Sequence, residues 1–166
     1  YVSSGNYGNN NITGNNLTIY SASSSGYGVN LNNLGTSNSN IIQSNTIDIT
    51  ASSSSYGIDL FNFGTSMNSN IVYNNIIRVR LHSISFTWAY GIYLYKISSS
   101  NLTLNTINST APDVYTYAGD IYLSTGSNHN IFYDNKLLGI EWGVYIDYYG
   151  GTNNTFTNVS YSGGEF

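Results

Sequence analysis

The sequence predicts an all-β fold, a right-handed parallel β-helix of about six coils with three short strands per coil. Three observations predict it. The segment NSNIIQSNTIDIT at 38–50 returns as NSNIVYNNIIRVR at 68–80, thirty residues on, so the chain has a repeat. Within each repeat, apolar and polar residues alternate in runs too short for a helix and with no sustained 3.6 period. No Asn-Gly or Asp-Gly dipeptide occurs despite abundant Asn, which removes support for a meander of hairpins. A chain with short strands, a fixed period and no hairpins can coil in one direction and lay each coil on the last. The whole chain, 1–166, reads as one such domain.

The first strand of each coil carries the pattern Gly-(Ile/Val)-x-(Leu/Ile). It occurs as YGVNL at Tyr27, YGIDL at Tyr56, YGIYL at Tyr90, the variant GDIYL at Gly119, and WGVYI at Trp142; YVSS at Tyr1 matches its last positions. Alternation directs Val29/Leu31, Ile58/Leu60, Ile92/Leu94, Ile121/Leu123 and Val144/Ile146 inward. The outward set is then aromatic, with Phe61, Tyr93, Tyr95, Tyr122 and Tyr145 as a contact face, and Tyr148 beside it.

The second strand follows an Asn, at Asn11, Asn40, Asn70, Asn101, Asn130 and Asn154, and Ile71 is expected to point inward. The third follows another Asn, at Asn16, Asn45, Asn75, Asn105, Asn135 and Asn158, and inward Ile77 and Val79 represent it. Stacked about 4.8 Å apart, the first set forms an Asn ladder whose amides bond along the stack. Asn also tolerates the left-handed backbone that bends require. The motif glycines Gly28, Gly57, Gly91, Gly119 and Gly143 lie 29, 34, 28 and 24 residues apart. The surplus falls in ITASSSS, RVRLHSISFTWA and STAPDVYTYA, expected as loops between the third strand and the next motif. Pro112, the one proline, lies in the last of these, off the ladder.

The pattern GIxL…SxxNxIxxNxI resembles the parallel β-helix repeats of the pectate-lyase-like superfamily, closest to those of NosD-like periplasmic and archaeal surface proteins. The resemblance spans nearly the whole chain. It implies the fold and says little of function, since such repeats serve lyases, hydrolases, adhesins and structural proteins.

Composition excludes several functions. Only 7% of residues are charged, and the four basic ones (Arg78, Arg80, Lys96, Lys136) cannot build a nucleic-acid surface. There is no cysteine, hence no disulfide framework or thiolate metal site. No apolar run approaches the roughly 20 residues of a membrane span. The start at Tyr1 suggests a processed mature protein or an excised segment. Six N-x-[ST] sequons, at Asn11, Asn16, Asn101, Asn108, Asn153 and Asn158, are candidate glycosylation sites and point to an extracellular or cell-surface setting.

The resemblance makes a carbohydrate lyase or hydrolase the first enzyme to test, and such enzymes cluster carboxylates. The eight acids here are Asp48, Asp59, Asp113, Asp120, Asp134, Glu141, Asp147 and Glu165. None pairs with another in a column of adjacent coils, and surface charge is their expected role. His82 and His129 are separated and lack partner ligands, so no metal site is expected. The copper delivery implied by the NosD resemblance has no Met- or His-rich cluster to serve it. YGGT at Tyr149 is too short for a phosphate loop. No cofactor is expected.

Both chain ends fall at the same point of a coil, so a second copy would continue the solenoid in phase. The reading this supports is a non-enzymatic structural protein that stacks head to tail with itself into an extracellular filament or surface layer, with lateral bundling through the tyrosines. The alternatives are a carbohydrate-active or carbohydrate-binding β-helix and a fragment of a long β-helical adhesin.

Overall fold

The computed structural model describes residues 9–33, 39–62, 67–82, 86–112 and 117–162. Within them the chain is a parallel β-solenoid without helices. The strands, in coil order, are β1 (Asn11–Thr13) and β2 (Asn16–Ser21); β3 (Tyr27–Asn33), β4 (Ile41–Gln43) and β5 (Thr46–Ala51). Next come β6 (Ser55–Asn62), β7 (Met67–Asn68), β8 (Ile71–Tyr73) and β9 (Ile76–Leu81). The following coil holds β10 (Trp88–Tyr95), β11 (Ile97–Ser98), β12 (Asn101–Thr103) and β13 (Thr106–Thr110). The last strands are β14 (Tyr117–Ser124), β15 (Ile131–Tyr133), β16 (Lys136–Leu137), β17 (Trp142–Ile146), β18 (Thr155–Thr157) and β19 (Ser160–Tyr161).

Three parallel sheets result. The first runs β3-β6-β10-β14-β17, the second β1-β4-β8-β12-β15-β18, and the third β2-β5-β9-β13-β16-β19. A small bridge joins β7 to β11; the repeat pattern did not signal it. The first sheet spans four coil-to-coil steps, so the fully three-sided solenoid is about four turns long rather than six. The motif at Tyr1 lies outside the described residues.

The core is a set of vertical columns. In the first sheet Val29, Ile58, Ile92, Ile121 and Val144 stack, beside Leu31, Leu60, Leu94, Leu123 and Ile146. In the third sheet Leu17, Ile47, Ile77, Ile107, Leu137 and Tyr161 stack. The inner members of these columns are fully buried, each worth about 1.5–3 kcal/mol relative to exposure. The second sheet needs a correction. Its inward column is Ile12, Ile42, Val72, Leu102, Phe132 and Phe156, while Ile71 points to solvent. The apolar pair after each Asn admits either phase, and a three-residue strand buries only its middle residue.

The corner between second and third sheets is the most regular part. One residue there is left-handed in every coil: Gly14, Ser44, Asn74, Leu104, Asp134 and Asn158, with φ between 52° and 69°. The next residue forms a ladder, Asn15-Asn45-Asn75-Asn105-Asn135. Each side-chain carbonyl accepts from both the backbone N–H and the amide of the Asn one coil earlier, at 3.0 Å. The same amides of Asn45, Asn75, Asn105 and Asn135 also donate to strand carbonyls such as Ile12 O and Ile42 O. The left-handed role therefore belongs to the residue before the ladder Asn, not to the ladder Asn. Asn16 and Asn158 stand outside this ladder.

The corner entering the second sheet carries the other ladder. It runs Asn10-Asn40-Asn70-Ser100-Asn130-Asn154. Asn11 and Asn101, expected in it, are exposed strand residues aligned with Ile41 and Ile71. Asn10 and Ser100 occupy their places. Asn40, Asn70, Asn130 and Asn154 lie where the sequence put them.

The expected loops are shorter than their sequences. Ile49–Ala51, Arg78–Leu81 and Ser109–Thr110 extend the third sheet, and Trp88 and Tyr117 already belong to the first. Diagonally across two coils, Arg80 donates to Asp48 in an exposed ion pair.

Candidate functional site

The outward face of the first sheet is where the chain departs from plain repetition. The geometry begins at the motif glycines. A Cβ on Gly57 would sit 2.5 Å from the Gly91 carbonyl oxygen and collide with the Ile77 methyl; Gly28 and Gly91 are placed alike. The backbone here therefore turns its glycine edge inward against the third sheet. Alternation then slips by one residue, since both Gly57 and Ile58 are buried. Because of that slip, Tyr56 and Asp59, not Tyr56 and Ile58, share the outer face.

Four outer columns follow. Trp88 lies over Tyr117. Beside them stand Tyr27, Tyr56, Tyr90, Gly119 and Trp142. Next are Asn30, Asp59, Tyr93, Tyr122 and Tyr145, then Asn32, Phe61, Tyr95 and Ser124. The rings pack closely: Tyr27–Tyr56 at 5.1 Å, Tyr93–Tyr122 at 5.4 Å, Tyr122–Tyr145 at 5.1 Å and Phe61–Tyr95 at 4.2 Å between centroids, all stacked. Lys96 lies 5.6 Å over the Tyr95 ring. Thus the five expected aromatic residues Phe61, Tyr93, Tyr95, Tyr122 and Tyr145 share one face. The register adds Tyr27, Tyr56, Tyr90, Trp88, Tyr117 and Trp142, which sit N-terminal to the slip. Tyr148 is almost wholly exposed and touches Tyr149 edge-on.

This register also corrects Gly119. It pairs with Tyr90 and Trp142 and so falls in the tyrosine column, one position off the motif glycine. Asp120 takes the motif position instead, its carbonyl oxygen 2.6 Å from where a Gly91 Cβ would be. Its carboxylate is wholly buried and accepts the N–H groups of Ser109 and Gly139, both at 2.7 Å. Loss of solvent pushes Asp120 up to about 7, against the opposing pull of those hydrogen bonds.

Asp59 is buried as well. One carboxylate oxygen accepts from Asn30 Nδ2 at 2.8 Å, and the other has no hydrogen-bond partner among the described residues. Desolvation under the tyrosines pushes it up to about 7. Neither acid is the surface charge that its sequence context suggests. Burial likewise raises the Tyr56, Tyr90 and Tyr122 phenols, and Tyr93 up to about 12. These phenols are neutral, apolar-bodied surfaces at neutral pH.

Gly119 leaves a gap in the aromatic column. A cleft of about 230 Å³ opens there, lined by Trp88, Tyr90, Tyr117, Tyr122, Trp142 and Tyr145. Tyr117 stacks on Trp142 at 5.4 Å, and Trp142 leans on Tyr145 at 5.0 Å. Two acids border this region. Glu141 accepts from Ala118 N at 2.7 Å, and burial raises its carboxyl. Asp147 accepts from Ser124 Oγ at 2.6 Å and from the Tyr122 hydroxyl at 3.4 Å.

The remaining candidates are scattered. His129 is a left-handed corner residue 3.3 Å from Asn153, and His82 is exposed. Among the described residues no three His, Asp or Glu side chains gather as metal ligands. Of the sequons, Asn11, Asn16, Asn101, Asn153 and Asn158 are exposed, and Asn108 is half-buried. Asp113 and Glu165 lie outside the described residues. No known protein family, curated protein or solved structure matches the chain.

Proposed function

We propose that this chain is a non-enzymatic structural solenoid of the cell exterior, and that its coil faces join head to tail with those of another copy. The observation that carries the reading is the state of the core columns at their ends. Ile12, Leu17 and Ile19 at one end, and Val144, Phe156, Val159 and Tyr161 at the other, are only partly buried. The same columns are sealed in the middle. A further coil laid on either face would bury these side chains, pair the strand edges and continue the ladders. A heterologous contact of this kind does not close, so it propagates.

Low charge supports the reading, since little repulsion opposes close approach of copies. The scattered acids support a non-catalytic role: Asp120 is sealed in the core, and Asp59 is tied to Asn30. The exposure of Asn11, Asn16, Asn101, Asn153 and Asn158 supports Asn-linked glycans in this reading. The resemblance of the repeat pattern to NosD-like surface-protein repeats accords with this setting.

Negative-stain microscopy and light scattering of the 166-residue chain test the proposal. Fibres with an axial repeat of about 4.8 Å per coil are expected, and Phe156→Lys should dissolve them while leaving a folded monomer. A wild-type chain that stays monomeric at high concentration would overturn it and favour a segment of a longer adhesin.

A further inference from the structure

We propose that the cleft at Gly119 binds the quaternary ammonium head of a small organic cation of the choline type. The gap is built into the register. Gly119 interrupts the outer aromatic column between Tyr90 and Trp142. A Cβ there would lie 3.5 Å and 3.7 Å from two atoms of the Tyr90 ring, which is ordinary contact. The glycine is thus not demanded by packing, unlike Gly57. What its absence of side chain creates is space.

The size fits a single group. About 230 Å³ lies below the roughly 300–1,000 Å³ of sites for drug-sized ligands. The walls select its chemistry. Among the described residues all six lining side chains are Trp or Tyr, and none is an amide or a charged group. A saccharide could stack a C–H face on these rings, but its edge hydroxyls would find only phenol hydroxyls and indole N–H groups among the described lining residues. A primary ammonium would need acceptors for its three N–H groups. A quaternary ammonium donates nothing and is held by the negative faces of aromatic rings.

Charge favours a cation over a neutral group of the same shape. Glu141, which precedes Trp142, is anchored on Ala118 N beside Gly119. Asp147 sets a second carboxylate 3.4 Å from the Tyr122 hydroxyl, at the edge of one wall. No Lys or Arg lines the cleft, and the chain carries a net charge of -4. The rim is open: Trp88, Tyr117 and Tyr145 are 44%, 36% and 37% exposed. Ligand entry needs no conformational change.

The chain supplies its own reporter, because its two tryptophans, Trp88 and Trp142, both line the cleft. Titration with choline should change the tryptophan fluorescence saturably. The neutral isostere 3,3-dimethylbutan-1-ol should bind at least about tenfold more weakly, since it lacks the charge that the rings attract. Gly119→Tyr should fill the gap and abolish the choline response while preserving the melting temperature. Should that variant fail to fold, Tyr145→Leu removes one half-exposed wall, and its choline affinity by calorimetry should fall at least fivefold. The proposal is overturned by equal binding of choline and the isostere, by saturation with glucose or phenol but not choline, by no choline response, or by full choline affinity in either folded variant.

Discussion

The corner between the second and third sheets and the outer face of the first sheet belong to the same coils yet obey different rules. At the corner the ladder positions recur every 30 residues, each Asn bonded alike to the next. Any coil there could replace its neighbour. On the first sheet, the same backbone stacking carries Tyr, Tyr, Tyr, Gly and Trp in one outer column and Asn, Asp and three Tyr in the next. The difference separates what holds the coils in register from what distinguishes one coil from another. Buried amides must be satisfied in every coil, so they cannot vary freely. An outer column needs only mutual contact, so it tolerates a missing ring.

That contrast can be broken most severely at Gly57. Gly57→Ala drives a Cβ into the Gly91 carbonyl and the Ile77 methyl and should cost about 3 kcal/mol by overpacking. Gly119→Ala, on the same sheet but in the outer column, should be nearly neutral. Urea unfolding of the pair decides the matter: similar losses would mean that the inner and outer glycines are equivalent after all.

Removing one rung of the corner ladder comes next. Asn75→Ala strands Asn45 N and Ile42 O and should cost about 2 kcal/mol. Asn11→Ala, at an exposed Asn of the same sequence motif, should stay within about 0.5 kcal/mol. If the two denaturation midpoints shift equally, the ladder is not what fixes register.

The first sheet should also make stability depend on pH, in an unusual direction. Asp59 and Asp120 have folded-state values raised to about 7, above their ordinary range near 4. Between these limits the folded chain binds more protons than the unfolded chain, so this contribution is full only below about pH 4, is lost progressively as pH rises toward about 7, and is gone above that. Melting temperatures at pH 5 and pH 8 should differ, with pH 5 higher. Asp59→Asn, which can keep the Asn30 contact, should reduce that difference; an unchanged pH profile would show that Asp59 does not contribute to it.

The smallest effect expected is a gain. Leu104 holds a left-handed backbone at the corner and is half exposed. Leu104→Asn relieves the Cβ strain and should stabilise by about 0.5–1 kcal/mol. A loss in thermal unfolding would mean that its exposed side chain matters more than its backbone.

Much of the fold was legible because its signals are periodic. Val29, Ile58, Ile92, Ile121 and Val144 read directly as an inward column, since strand alternation leaves few other choices. The errors came where two adjacent residues could each satisfy the pattern. Asn10-Asn11 and Asn15-Asn16 are doublets, and the motif reading takes the second of each where the ladder uses the first. Strict 30-residue spacing would have selected Asn15, and would have put Ser100 in place of Asn101. Gly119-Asp120 misled in the same way, because a buried carboxylate at a glycine position violates every expectation from hydropathy. The aromatic face was half visible. Its second column lies beyond the slip at the motif glycines, and period-2 reading cannot cross a slip. The gap at Gly119 depends on that hidden register and has no local sequence signal.

The asparagine ladders give the solenoid an electrical direction. From Asn15 to Asn105, each amide donates forward to the carbonyl of the next coil's Asn. Their side-chain dipoles therefore add along the axis, negative oxygen toward the first coil, and chains of hydrogen bonds polarise one another. Two such rods meeting nose to tail extend a continuous series of dipoles. Meeting nose to nose, they would set carbonyl oxygen against carbonyl oxygen. The residue that fixes register within one chain would thus also give the proposed head-to-tail assembly a reason to keep a single sense.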